Sequence, residues 1–369
     1  MRLCNLKIED VAFGGKGVGR EQGKAVFVPY TIEGEMVSAE VVREKKQFAE
    51  AELVEVLQNS PNRVAPQCPY FARCGGCAYQ HIDYQHQLAI KWRQVRDALQ
   101  RIGKLKDVPM RPIVPSPNAY GYRNRITVHV LDGVIGFFRR DSHSLVDIER
   151  CPISRDEVNT ALAELRAQRH LRDGHYTLRG ASEPHIFSQV NDEVAHALRN
   201  LIIDLVPPEQ ELLIDAYCGA GFFAKALLDK FERGIGIDWD RFAIAAAKEN
   251  ASEKETYVAG DVEDKLQRVG AGNRPAPESD MQSGRLRSIA TTTMIVDPPA
   301  TGLTEGVRTA ITGLAPGTLI YVSCSPPTLA RDLRHLNENF AIDSVTPFDM
   351  FPQTPEIEAV AHLRAMPPK

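Results

Sequence analysis

The chain has 369 residues, 43% of them hydrophobic and 25% charged, which fits two or three soluble domains and excludes a disordered or fibrous chain. No stretch reaches the roughly 18 uncharged apolar residues of a membrane helix, and Met1-Arg2-Leu3-Cys4-Asn5 has no apolar signal core, so a cytoplasmic protein is expected. The net charge of −4 hides an asymmetry, because residues 61–190 carry 19 Lys and Arg against 12 Asp and Glu while both flanks are acidic.

Short strands are predicted at residues 26–28, 36–42 and 51–57, separated by Gly and charged turns, and they imply a small barrel over residues 1–58. Gly14-Gly15-Lys16-Gly17-Val18-Gly19 contains G-x-G-x-G, yet no helix follows it, so a dinucleotide fingerprint is not expected there. Leu88, Trp92, Val95, Leu99 and Ile102 recur at spacings of four and three between Asp83 and Gly103 and predict an amphipathic helix. Its other face carries Lys91, Arg93, Arg96 and Arg101, turned to phosphate or to water. From residue 211 the texture changes. Buried-type strands at 211–217, 234–238, 256–259, 293–296 and 318–323 alternate with helical stretches, which predicts a parallel, doubly wound α/β sheet. Residues 270–290, rich in Gly, Pro, Ser and Arg, read as a surface insertion.

The chemistry-bearing residues cluster at the predicted strand ends. Asp215-Ala216-Tyr217-Cys218-Gly219-Ala220-Gly221-Phe222 ends a strand in an acid and a glycine turn, and Asp238 ends the next strand where a ribose would be held. The third glycine of a pyrophosphate cradle is missing, so S-adenosylmethionine is the expected cofactor. Asp261 is placed to meet an adenine amino group, or to cap a helix. Asp297-Pro298-Pro299 closes a strand, but the aromatic residue that would clamp an amino acceptor is replaced by Ala300. Cys324 follows the fifth strand. A thiolate there suits a carbon acceptor: addition to carbon 6 of uracil makes carbon 5 an enolate able to take a methyl group, and a base must then remove the carbon-5 proton. Glu356 and Glu358 both offer that base, and spacing leaves the choice open. Cys68, Cys74 and Cys77 form C-x5-C-x2-C, with Cys151 farther on. Four thiolates can hold zinc or an iron-sulfur cluster, and three close cysteines with one distant ligand lean towards 4Fe-4S.

Together these residues resemble the RNA uridine-C5 methyltransferases, particularly the bacterial enzymes that make 5-methyluridine in 23S ribosomal RNA. The matching stretches are the four cysteines, Phe187-Ser188-Gln189-Val190-Asn191, residues 215–221, Asp297-Pro298-Pro299, residues 323–332 and Asp349-Met350-Phe351-Pro352. The resemblance implies residues 1–58 as a TRAM-type OB-like barrel that binds RNA. It implies 59–190 as an α+β domain with the 4Fe-4S cluster, and 191–369 as a Rossmann-like methyltransferase domain. It further implies Cys324 as nucleophile, Glu358 as base, and Gln189, Tyr217, Gly219, Gly221, Phe222, Asp238, Asp261 and Asp297 around S-adenosylmethionine. Arg123 and Arg125 would contact RNA, with 23S ribosomal RNA the first partner, transfer RNA the second, and a monomer the expected state. The chain departs from the family at Phe222, Ala300, Ser325, Gln353 and Glu356, which leaves a non-catalytic RNA-binding protein as the reading from another class.

Overall fold

The computed structural model describes residues 2–140, 142–180, 189–249, 251–270 and 291–367. Five strands, β1 (Arg2–Val11), β2 (Lys16–Glu21), β3 (Lys24–Pro29), β4 (Met36–Glu44) and β5 (Phe48–Gln58), close into a barrel in the order β1-β2-β3-β5-β4. Leu6, Ile8, Val26, Val28, Val37 and Ala39 alternate inward to fill it. The glycine run, expected only to be non-helical, turns into β2 at Gly14-Gly15, and glycine is required within the strand because a Cβ on Gly17 would sit 2.0 Å from Thr31 Oγ1 and one on Gly19 2.8 Å from the Lys7 carbonyl.

Helix α1 (Tyr84–Arg101) is capped by Asp83, which accepts from the Gln85 and His86 amides. It corrects the expected orientation. Lys91 is fully buried, Gln87 and Gln94 are buried, and Ile102, taken as apolar lining, is 43% exposed. The helix is wedged between the barrel, where Arg93 pairs with Glu33 and Asp10, and the large sheet, whose core takes Val95 and Leu99. Arg96 and Arg101 both pair with Asp97. The basic residues of α1 therefore mostly face protein acids.

The middle of the chain forms a four-stranded sheet in the order β8-β7-β6-β9, from β6 (Arg125–Leu131), β7 (Val134–Phe138), β8 (Leu145–Asp147) and β9 (Gly174–Arg179). Helix α2 (Asp156–Ala167) covers one face. The resemblance implied an α+β domain here without naming its strands; all four are short, and β6, β8 and β9 carry charge or histidine that blurs an apolar alternation.

After α3 (Asp192–Leu205) the chain builds a seven-stranded sheet, ordered β12-β11-β10-β13-β14-β16-β15. Its parallel strands are β10 (Gln210–Ala216), β11 (Phe231–Asp238), β12 (Glu255–Ala259), β13 (Thr292–Val296) and β14 (Thr318–Ser323). All six residues of β14 are buried, as strands covered on both faces must be. Helices α4 (Arg241–Glu249), α5 (Val262–Gly270), α6 (Glu305–Leu314) and α7 (Pro326–Leu336) pack around it. The segment after β10, expected to enter a helix, forms turns and a 3-10 helix, Lys225–Lys230. The sheet ends with β15 (Phe340–Phe348) and β16 (Glu358–Ala365), which run antiparallel and were not foreseen. Most of the expected insertion, residues 271–290, lies outside the described residues.

Candidate active site

The carboxyl ends of β10, β11, β13 and β14 meet at one edge. Because β16 runs against β14, Ala359 pairs with Ser323, and the next step in register sets Glu358 beside Cys324. A residue from a later strand is thus delivered to the same edge without a crossover.

Tyr217, Gly219 and Gly221 all have positive φ, at 65°, 54° and 84°, and a Cβ on Gly221 would lie 2.6 Å from the Tyr257 hydroxyl. The Asp238 carboxylate accepts from the Gly219 amide at 2.8 Å and the Asp240 amide at 2.8 Å, tying the glycine turn to β11. Phe222 stacks edge-on against Phe223 with centroids 4.9 Å apart. Asp261 is exposed and accepts from the Asp264 amide at 3.0 Å at the start of α5, the capping geometry weighed above. Gln189 is held through its carbonyl by Asn124, and Asn191 caps α3 while donating to the Met350 carbonyl. Phe187 and Ser188 lie outside the described residues.

This edge is acidic. Burial, then the charges of Asp297 and Asp238, push Asp215 to about 8, even with the Ala224 amide pulling it down. Burial, then Asp238, push Asp297 to about 7. Glu358, 4% exposed, is driven well above the carboxylate range by burial and then Asp297. Its Oε1 and the Asp215 Oδ1 have no hydrogen-bond partner in the described residues. The Cys324 thiol rises to about 11 through burial, then Glu358 and Asp297. Glu356, by contrast, is exposed and lines the cysteine cavity.

A clamp that the sequence did not reveal fixes the loop before Glu358. Lys91 Nζ donates to Asp349 Oδ1 at 2.6 Å and to the Phe351 carbonyl at 3.0 Å. Gln87 and Gln353 exchange two hydrogen bonds, the Tyr122 hydroxyl donates to the Pro352 carbonyl, and the Ala78 and Tyr79 amides donate to the Gln353 carbonyl. Gln353 has φ of 69°. On the other side, Asp332 gathers the Tyr321 hydroxyl, the Leu303 amide, Arg308 and Arg331, which braces the loop after Asp297.

Cys68, Cys74, Cys77 and Cys151 line one cavity of about 430 Å³, shared with Arg123, Phe351, Thr354 and Glu356. Burial pushes Cys74 to about 11 and Cys77 to about 12, and charge on Cys151 would raise both further. Neutral thiols sharing a cavity fit a group that would supply positive charge. Among the described residues, however, no set of three or more His, Cys, Asp or Glu is drawn close enough to hold a metal ion. Arg123 donates from Nε to the Arg125 carbonyl. Burial, then Arg179 and Arg123, lower Arg125.

Residues 170–366 match the tRNA (uracil-5-)-methyltransferase family, and residues 4–54 match the TRAM domain. An uncharacterized RNA methyltransferase of Bdellovibrio bacteriovorus is 32% identical over 387 residues, covering 97% of this chain and 94% of its own length. One from Protochlamydia amoebophila is 31% identical over 435 residues, covering 97% and 96%. The crystal structure of Pyrococcus abyssi tRNA (uracil-54, C5)-methyltransferase with S-adenosyl-L-homocysteine superposes with a TM-score of 0.70 at 23% identity, over 98% of this chain and 100% of that one. That likeness concerns the fold. No helix among the described residues is long and apolar enough to cross a membrane.

Proposed function

The chain belongs to the tRNA (uracil-5-)-methyltransferase family of RNA methyltransferases, and from that premise we propose that it methylates carbon 5 of a uridine by transient attachment to Cys324. The observation that carries this reading is the register of β16 on β14, which brings a buried carboxyl, its Oε1 without a hydrogen-bond partner among the described residues, beside a strand-end thiol.

The Cys324 thiol gives its proton to solvent and its sulfur bonds to carbon 6 of the uracil, the pair of the carbon 5–carbon 6 double bond moving into an enolate. The resulting enolate at carbon 5 takes the methyl group of S-adenosylmethionine, releasing S-adenosylhomocysteine. Glu358 then removes the carbon-5 proton, the carbon–sulfur bond breaks, and the uracil ring and thiolate are restored. Gln189, Tyr217, Gly219, Gly221, Phe222, Asp238, Asp261 and Asp297 surround the cofactor in this reading. An edge with three carboxyls raised by burial and by neighbouring carboxylates suits a ligand bearing a sulfonium charge. The uridine must leave its stack to enter, at a cost of a few kcal/mol that a loop uridine largely avoids. Cys68, Cys74, Cys77 and Cys151 would hold a 4Fe-4S cluster that ties the middle of the chain together; methyl transfer needs no redox chemistry from it. Arg123 and Arg125 would meet RNA phosphate.

The target is taken as 23S ribosomal RNA. Transfer RNA is the second reading, favoured by the family description and the Pyrococcus enzyme. The test is incubation of anaerobically purified protein with radiolabelled S-adenosylmethionine and, separately, undermethylated ribosomal and transfer RNA, followed by nucleoside identification. Label in 5-methyluridine from one RNA decides the substrate, and label in neither moves the reading to a non-catalytic RNA-binding protein.

A further inference from the structure

Among the described residues, one face of the four-stranded sheet is left uncovered. On β6, Ile126, Val128 and Val130 pack towards α2, so Arg125, Thr127, His129 and Leu131 turn the other way. Register places Arg179 opposite Arg125, Thr177 opposite Thr127 and His175 opposite His129. The two imidazoles meet with Nδ1 atoms 2.7 Å apart, and the Phe138 ring of β7 lies 4.3 Å from that of His129, tilted by 41°. Thr127, His175 and Thr177 are exposed, as are Leu131 and Phe138.

Three adjoining rings on an open sheet, with an arginine pair at one end, match what unpaired bases and their phosphates require: flat faces to stack on and cations to follow the backbone. The segment is also the one with a positive balance of charge. The strand that carries the face starts beside the cysteine cavity, which Arg123 and Thr127 line together with Phe351 and Thr354, and the Asn124 side chain, one residue before β6, donates to the Gln189 carbonyl.

We propose that His129, His175 and Phe138 form a stacking platform for unpaired bases flanking the target uridine, an inference that rests on the RNA reading above. The test measures binding of a fluorescein-labelled RNA hairpin with a uridine-containing loop, and of the same hairpin made abasic on either side of that uridine. The double variant His129→Ala, Phe138→Ala is expected to bind the intact hairpin about tenfold or more weakly. His129→Phe should retain affinity, which separates loss of a ring from misfolding. The loss should not shrink as salt rises, since stacking releases no counterions, and the abasic hairpin should bind wild type and double variant alike. Equal affinity for the intact hairpin, or a loss that persists on the abasic one, overturns the platform. If the double variant shows the stacking loss while the wild-type protein methylates no RNA, the platform stands and the methyltransferase reading is removed. A double variant that methylates with wild-type KM removes the platform alone.

Discussion

The thiol of Cys324 is held about two units above its ordinary value of 9.0, at about 11, by burial and then by Glu358 and Asp297. At pH 8 roughly one molecule in a thousand then carries the thiolate, against about one in ten for an ordinary cysteine, so alkylation at this position should be about a hundredfold slower. The assay is the rate of iodoacetamide labelling at Cys324, followed by peptide mass spectrometry from pH 7 to 11 in the cofactor-free protein. The rate should climb about tenfold per pH unit and level off near pH 11. Glu358→Gln removes the leading charge contribution and should move the midpoint down. A midpoint at or below 9, or one that Glu358→Gln leaves in place, would refute the electrostatic reasoning.

Glu358→Gln should also let a covalent protein–RNA adduct accumulate on denaturing gels, since release requires removal of the carbon-5 proton; an adduct trapped by Glu356→Gln instead would reassign the base. Lys91→Met should cost about 3–5 kcal/mol in urea unfolding, because it strands the Asp349 charge in a fully buried site, and Lys91→Met with Asp349→Leu should recover much of that loss. Asp215 binds its proton at about 8 in the fold against 3.8 ordinarily, so folding takes up a proton between those values and stability falls as pH rises through them. Asp215→Asn should therefore raise Tm more at pH 9 than at pH 5. Cys74→Ser should lower RNA affinity or solubility while S-adenosylmethionine still binds; unchanged RNA affinity would argue against a structural role for the cysteine cavity.

The sequence was most readable where neighbours in the chain settle the structure. The strands β10 to β14, of which β13 and β14 are buried throughout, are short runs whose apolar content and punctuation are local. The antiparallel pair β15 and β16 was missed because histidine, arginine and aspartate break its pattern, and its place depends on strands far away. Lys91 was misassigned for a related reason: a lysine on a helix belongs outside unless a distant acid awaits it, and Asp349 is such an acid. The chemistry of Cys324 and Glu358 was visible as residue types, but the difference in environment between Glu358 and Glu356, one buried and one exposed, belongs to the fold.

The clamp on the loop before Glu358 also bears on how the molecule assembles. Lys91 and Asp349 stand 258 positions apart, and Gln87 and Gln353 266. Closing such spans costs more chain entropy than forming the barrel, whose strands are close in sequence. The barrel and the four-stranded sheet can therefore form before the loop is seated, so a half-folded chain would hold the surfaces proposed for RNA while Glu358, the proposed base, was still out of place.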